Sequence, residues 1–273
     1  MYMHWINGDL DGLGKEKADE YQNNTPFPHI VIEGLFSEDI LDAVIDEFPD
    51  LSSSRGKLEY RNEHEVKLAS IGEDHFGPRT KLFLHFLNSK PFIDFLEVMT
   101  GVDGLVPDPH FFGGGLHELK HGGFLNIHAD FNRHPKMRLD RRLNLLIYLN
   151  KGWTDENGGQ LELWDREMKV CHRKVVPAYN TAVVFSTTDF SYHGNPAPVN
   201  CPNGGSRKSL ALYYYTNGRP EEEINEELED HTTLFKLKPG QTPRDVKGIR
   251  KLKDTVALFV PPIVFKVRKA LFR

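Results

Sequence analysis

From about Phe111 to Thr216 the chain breaks into short runs of β-branched, leucine and aromatic residues, each closed by a glycine or proline cluster. This punctuation constrains the fold more than any other feature. The runs are 124–128, 143–149, 160–164, 181–185 and 209–215, and the breaks hold Gly122-Gly123, Asn157-Gly158-Gly159, Pro177 and Pro202-Asn203-Gly204-Gly205. Runs of five to seven residues are too short for helices that bury a face, and frequent turns return the chain for antiparallel pairing. The expectation is a mainly β domain, a sandwich or jelly roll. Before it the period is helical: after an extended stretch at 27–32, Ser37 is placed to cap a helix with apolar Ile40, Leu41, Val44, Ile45 and Phe48. Further helices are predicted at about 80–87 and from Pro91 to just before Gly101, as a layer supporting the sheet.

The 273 residues fit one main domain, 1–219, with its core at about 111–219. Beyond it, 220–273 is expected to form an acidic helix and a basic tail packed on the core. A formal net charge of -5 offers no general attraction to phosphate backbones, so no nucleic-acid partner is expected. Two cysteines, Cys171 and Cys201, make no disulfide framework or zinc spacing, which suits a reducing, cytoplasmic setting. Residues 1–14 lack a cationic start and apolar run, so no signal segment is read there. The most apolar stretch, 256–265, is interrupted by Pro261 and Pro262, and a membrane-spanning helix needs about 20 residues.

Two patterns compete as metal sites. His117-Glu118-Leu119-Lys120-His121 spells HExxH, the zinc-peptidase pattern, which needs both histidines one turn apart on a helix with the glutamate as base. Gly113-Gly114-Gly115 before it and Gly122-Gly123 after it, each glycine costing about 1 kcal/mol in a helix, argue against that helix. Phe124 and Ile127 also occupy the Gly and His positions of the longer metzincin pattern. The alternative is His128-Ala129-Asp130 with His193. On an extended strand residues i and i+2 face one side, so His128 and Asp130 can reach one metal while His193 arrives from elsewhere. Such a two-histidine, one-carboxylate set leaves three positions open on iron(II). Arg207, 14 residues after His193 and starting a strongly β run, offers a planar fork for a carboxylate.

Five blocks in order carry a resemblance: Gly123-Phe124-Leu125-Asn126-Ile127-His128-Ala129-Asp130; Leu146-Ile147-Tyr148-Leu149-Asn150; Gly158-Gly159-Gln160-Leu161-Glu162-Leu163; Tyr192-His193-Gly194; and Arg207 through Tyr215. The stretch from Leu116 to Arg219 resembles the catalytic core of the prolyl-4-hydroxylase-like branch of the 2-oxoglutarate/iron(II) oxygenase superfamily. The resemblance implies a double-stranded β-helix of the jelly-roll, cupin-like kind, with His128, Asp130 and His193 as catalytic iron ligands. It also implies Arg207 as the salt-bridge partner of the 2-oxoglutarate tail, Tyr148 hydrogen-bonded to the same carboxylate, and Leu161 and Phe185 lining that pocket. Implied requirements are Fe(II), 2-oxoglutarate and O2, with ascorbate as an auxiliary reductant. The implied reaction decarboxylates 2-oxoglutarate to succinate while hydroxylating an unactivated C–H bond. A prolyl residue in a peptide leads the substrates; a small metabolite, lipid or glycan is the alternative, since such cores serve unrelated substrates. A cupin-like binding module without catalysis, or a zinc peptidase, would be a different class altogether.

Departures matter. The gap from His193 to Arg207 is lengthened by 200–205, and Lys208 is a rival to Arg207, because some relatives use lysine. Adjacent strand residues face opposite ways, so only one can serve. Trp153 and Trp164 are expected in the core, and His117, His121 and His134 at the mouth as loop or substrate-facing residues. Arg133, Arg138, Arg141 and Arg142 read as a solvated loop or as a basic rim for an anionic substrate. Glu221 to Asp230 reads as a solvated helix face. The tail 244–273, nine Lys/Arg against two Asp, reads as packed on the core or as docking an anionic partner or membrane surface.

Overall fold

The computed structural model describes residues 3–54, 57–225, 228 and 230–237, so the tail 244–273 lies outside the described residues. Its first helix, α1 (Leu10–Asn23), is not announced by the apolar pattern, because only Leu10, Gly14 and Tyr21 are buried. The Asp9 carboxylate caps it by accepting from the Gly12 amide at 2.9 Å. After β1 (His29–Glu33) comes α2 (Glu38–Asp46), burying Ile40, Leu41 and Val44. Ser37 takes the capping position, but its side chain makes no cap hydrogen bond, and Phe48 packs just beyond the helix end. The hairpin β2 (Leu58–Arg61) and β3 (Glu65–Ala69) precedes α3 (Pro78–Leu87) and α4 (Lys90–Thr100). The Glu47 carboxylate satisfies the first amides of α3, accepting from Arg79 and Thr80 at 3.0 and 2.8 Å. Gly101 ends α4 at φ 70°, donating to the Glu97 carbonyl at 2.9 Å.

Short strands follow: β4 (Val106–Pro107), β5 (Gly115–Lys120), β6 (Phe124–Ala129), β7 (Asp140–Tyr148), β8 (Leu161–Trp164), β9 (Cys171–Val175), β10 (Thr181–Ser186), β11 (Tyr192–Asn195), β12 (Ser206–Thr216) and β13 (Leu234–Phe235). They pair antiparallel in the order β1-β10-β7-β12-β5-β3-β6-β11-β8-β9, with β2 on β3, β4 on β12 and β13 on β6. This is a double-stranded β-helix, a nearly closed jelly roll. Strand alternation then sorts β12. Leu210, Leu212 and Tyr214 join the core under the helices, while Arg207, Ser209 and Tyr213 face the interior cavity. A second apolar cluster inside the barrel gathers Tyr148, Leu161, Leu163, Val183 and Phe185. Among the described residues no helix is long and apolar enough to cross a membrane, and both cysteines, outside any disulfide, are half-buried.

One expectation holds here and two change. The HELKH string lies on β5 up to Lys120, paired with β12 from Lys120↔Ser206 to His117↔Ser209, with His121 in the turn beyond, so its histidines are not a helical turn apart. The acidic region, within the described residues, contains one 3-10 turn, Glu221–Glu223, and no solvated helix face. Glu223 is instead half-buried against Arg142 at 3.1 Å, and burial raises its carboxyl above the ordinary range. Trp153 is half-buried beside a surface cleft of about 460 Å³, not in the core, and donates to the Gly158 carbonyl at 3.0 Å. Trp164 does pack, against Ile127, Ala129, Met168 and Tyr192.

The helical layer should be energetically essential. Phe92 is fully buried and its ring lies within 6.3 Å of those of Phe36, Phe86 and Phe95. Phe92→Ala is expected to cost about 3–5 kcal/mol, read as a lower urea midpoint with unchanged slope.

Candidate metal centre and cosubstrate pocket

His128 is the penultimate residue of β6, and antiparallel pairing sets it directly opposite His193 on β11, with ring centroids 4.5 Å apart. Asp130 follows one residue beyond the strand end. Each histidine has its Nδ1 2.9 Å from a backbone carbonyl two residues before it, Asn126 for His128 and Ser191 for His193. Those carbonyls make Nδ1 the donor and turn the Nε2 lone pairs inward. His128 Nε2 is 3.5 Å from Asp130 Oδ1, and His193 Nε2 is 3.3 Å from Oδ2. Ligands about 2.1 Å from a metal at right angles stand about 3 Å apart, so the donor set fits one divalent ion with little rearrangement. Among the described residues this is the grouping of His, Cys, Asp and Glu that could hold a metal.

Charge states suit that role. Burial, reinforced by His193, holds the His128 imidazole below its ordinary range. Burial alone would raise Asp130, but the Arg141 cation and both imidazoles outweigh it and keep the carboxyl well below the usual range. Neutral imidazole and ionised carboxylate are the metal-binding forms.

On the far side of the same cavity, of about 70 Å³, lies Arg207, 4% exposed. Its Nη2 donates to the Tyr148 hydroxyl at 3.2 Å, while its Nε has no hydrogen-bond partner among the described residues. Lys208 points the other way, its ammonium 4.9 Å over the Phe48 ring. Leu161 lines the cavity, and Phe185 packs edge-on against His193 at 4.6 Å. Gly159 permits this closeness, because a Cβ there would stand 2.9 Å from Arg207 Cδ. The predicted set of His128, Asp130, His193, Arg207, Tyr148, Leu161 and Phe185 is thus brought to one pocket and its wall.

The neighbouring histidines differ. His117 lines the cavity but bonds the Gly113 carbonyl at 3.0 Å, and burial pushes it down to about 3, so it is neutral. His121 accepts from the Cys201 amide at 3.1 Å at the surface. His134 is not at the mouth. It is fully buried, accepts from the amides of Lys136 and Met137, and sits 3.3 Å from Asp108.

The basic patch also dissolves. Arg133 and Arg138 pair with Asp230 at 3.5 and 3.2 Å, and Arg142 pairs with Glu223. Arg141, 1% exposed, reaches the metal site itself, its Nη2 3.0 Å from Asp130 Oδ2. Counting back along β7 from Tyr148, Leu146 and Asn144 would send Arg142 inward. A bulge intervenes, since Tyr214 faces Leu143 and the next residue, Tyr215, faces Arg141. Nothing in the sequence marks that extra residue. A second contributor without a sequence signal is Phe235 on β13, stacked on His64 at 4.6 Å and 5.6 Å from the His128 ring.

Comparisons with known proteins follow this geometry. Residues 114–215 match the sequence profile of the 2OG-Fe(II) oxygenase superfamily. No curated protein matches the chain significantly. Among solved structures, the fold is similar to that of a Pseudomonas putida prolyl-4-hydroxylase, with TM-score 0.53 and 16% identity, covering 75% of this chain and 100% of that one. It is similar to a Trichoplax adhaerens prolyl hydroxylase in complex with a hypoxia inducible factor peptide fragment, at TM-score 0.56 and 20% identity, over 76% and 90% of the two chains. It is also similar to SnoK, a non-heme alpha-ketoglutarate-dependent carbocyclase from nogalamycin biosynthesis, at TM-score 0.50 and 16% identity, over 77% and 87%.

Proposed function

We propose that this chain, an enzyme of the 2OG-Fe(II) oxygenase superfamily over residues 114–215, hydroxylates an unactivated C–H bond, with peptidyl proline as its leading substrate. The observation that carries the reading is the meeting, in one buried pocket, of the triad His128, Asp130 and His193 with Arg207. The triad would hold Fe(II), and Arg207 with Tyr148 would hold the distal carboxylate of 2-oxoglutarate. Iron and cosubstrate, when bound, supply the oxidation that turns dioxygen and the keto acid into succinate, carbon dioxide and a hydroxyl group on the substrate.

The chain's own contribution is placement. Nδ1 hydrogen bonds fix both imidazoles, and the wall of Leu161, Leu163 and Phe185 keeps water from the cosubstrate. Arg207 Nε is a donor facing no acceptor among the described residues, as expected of a group built to meet a bound anion. A binding module without catalysis would have no use for that cation. Peptidyl proline is supported by the two similar prolyl hydroxylases, while the similar carbocyclase keeps a small-molecule substrate as the second reading.

The test is anaerobic addition of Fe(II) and 2-oxoglutarate, with a weak visible charge-transfer band expected for the chelate. Folded protein without the band would refute the oxygenase assignment of this pocket. If the band forms but proline-containing peptides do not accelerate succinate release, proline is the wrong substrate and the oxygenase chemistry stands.

A further inference from the structure

Asp130 is gripped by two side chains outside the set assigned above. Arg141 Nη2 lies 3.0 Å from its Oδ2, and Asn144 Nδ2 donates to the same oxygen at 2.8 Å. The two are braced together, since Arg141 Nε and Nη2 donate to Asn144 Oδ1 at 2.9 and 2.6 Å. The guanidinium lies 3.5 Å from the Tyr213 ring centroid and 4.4 Å from that of Phe131, and the Tyr213 hydroxyl is itself tied to the Gly113 carbonyl at 2.8 Å. A cation this deeply buried is costly unless its partner is fixed, and here every restraint ends at one carboxylate oxygen. Both oxygens face the triad, Oδ1 meeting His128 Nε2 at 3.5 Å and Oδ2 meeting His193 Nε2 at 3.3 Å, but only Oδ2 also carries the Arg141 and Asn144 donors.

We propose that Arg141, with Asn144, is a positioning residue that occupies Oδ2 and so keeps Asp130 a one-oxygen ligand. This rests on Asp130 being a metal ligand. The physical reason is coordination number. A facial triad leaves three positions; the keto acid takes two and dioxygen needs the third. A carboxylate free to swing both oxygens onto the metal would fill that third position. Holding Oδ2 with two donors and a stacked cation removes that freedom, and the bulge in β7 that turns Arg141 inward is the backbone feature that makes it possible.

Water-proton relaxation of the Mn(II)-loaded protein without 2-oxoglutarate counts exchangeable waters on the metal. Wild type is expected to show about three, and Arg141→Met about two, a fall of roughly one third. Arg141→Lys keeps a cation near Oδ2 and is expected to recover part of the loss. The Fe(II)·2-oxoglutarate band should form in all three with unchanged cosubstrate affinity, but to decay about tenfold or more slowly in oxygen for Arg141→Met. Unchanged relaxation in folded, metal-loaded Arg141→Met would overturn the proposal, and so would an equal fall in Lys and Met variants, which marks a packing role. If Arg141→Met fails to fold, Asn144→Ala decides: it removes one donor and the brace, and a water count equal to wild type overturns the proposal. Relaxation needs no turnover, so wild type that binds Mn(II) but never forms the 2-oxoglutarate band refutes the oxygenase assignment and leaves this proposal standing.

Discussion

His128→Ala, Asp130→Ala and His193→Ala should each abolish Fe(II) retention and coupled succinate formation, whereas His117→Ala and His121→Ala should still bind the metal. In the proposed site each triad residue would supply one of three protein ligands among the described residues, so its loss should exceed the roughly 10–100-fold that removal of a ligand's hydrogen-bond partner typically costs. The two remaining ligands cannot recruit the HELKH histidines. His117 is committed to the Gly113 carbonyl and His121 to the Cys201 amide, and β5 is locked to β12 along its length. Isothermal titration of Fe(II) under nitrogen on the five variants measures the difference. Loss of binding confined to His117→Ala and His121→Ala would reverse the assignment of the metal centre. His117→Ala opens the cavity wall, so its effect belongs on substrate affinity and coupling.

What the sequence could show was whatever depends on short-range pattern. The i, i+2 spacing of His128 and Asp130, the β runs and the parity that separates Arg207 from Lys208 are properties of a few neighbouring residues, and strand alternation turns them into geometry. What it hid depends on tertiary context. The helix α1 is mostly polar and gains its place from α4, where Gly14 admits Phe95 with a would-be Cβ contact of 3.3 Å. β5 lies between glycine clusters and reads as broken text until β12 pairs with it. The bulge at Arg142 flips the parity of β7, so the arginine that joins the metal site is the one alternation would have placed outside. β13, two residues long, carries no periodicity at all, yet it completes the edge of β6 beside His128.

Arg207→Ala should weaken 2-oxoglutarate binding about tenfold to 150-fold, the equivalent of a charged hydrogen-bonded pair worth roughly 1.5–3 kcal/mol. Lys208→Ala should stay within about twofold, because that side chain lies over Phe48 on the helix side of β12. If affinity collapses only in Lys208→Ala, the register of β12 is off by one residue. A second signature separates a cosubstrate anchor from a structural arginine. In the protein alone the Arg207 cation is buried against a phenol and has no carboxylate partner among the described residues, and burial pushes its guanidinium below the ordinary range. An unpaired buried cation destabilises the fold, so Arg207→Met, which keeps the volume and removes the charge, should raise the melting temperature of the metal-free protein. The same variant should lose most of the further rise that 2-oxoglutarate gives the Fe(II)-loaded wild type, because a ligand stabilises only in proportion to its binding. Thermal scans of both proteins with and without Fe(II) and 2-oxoglutarate supply the four numbers. A metal-free Arg207→Met that melts below wild type, or that keeps the full cosubstrate shift, would mean that Arg207 holds the barrel together and that the 2-oxoglutarate tail is anchored elsewhere.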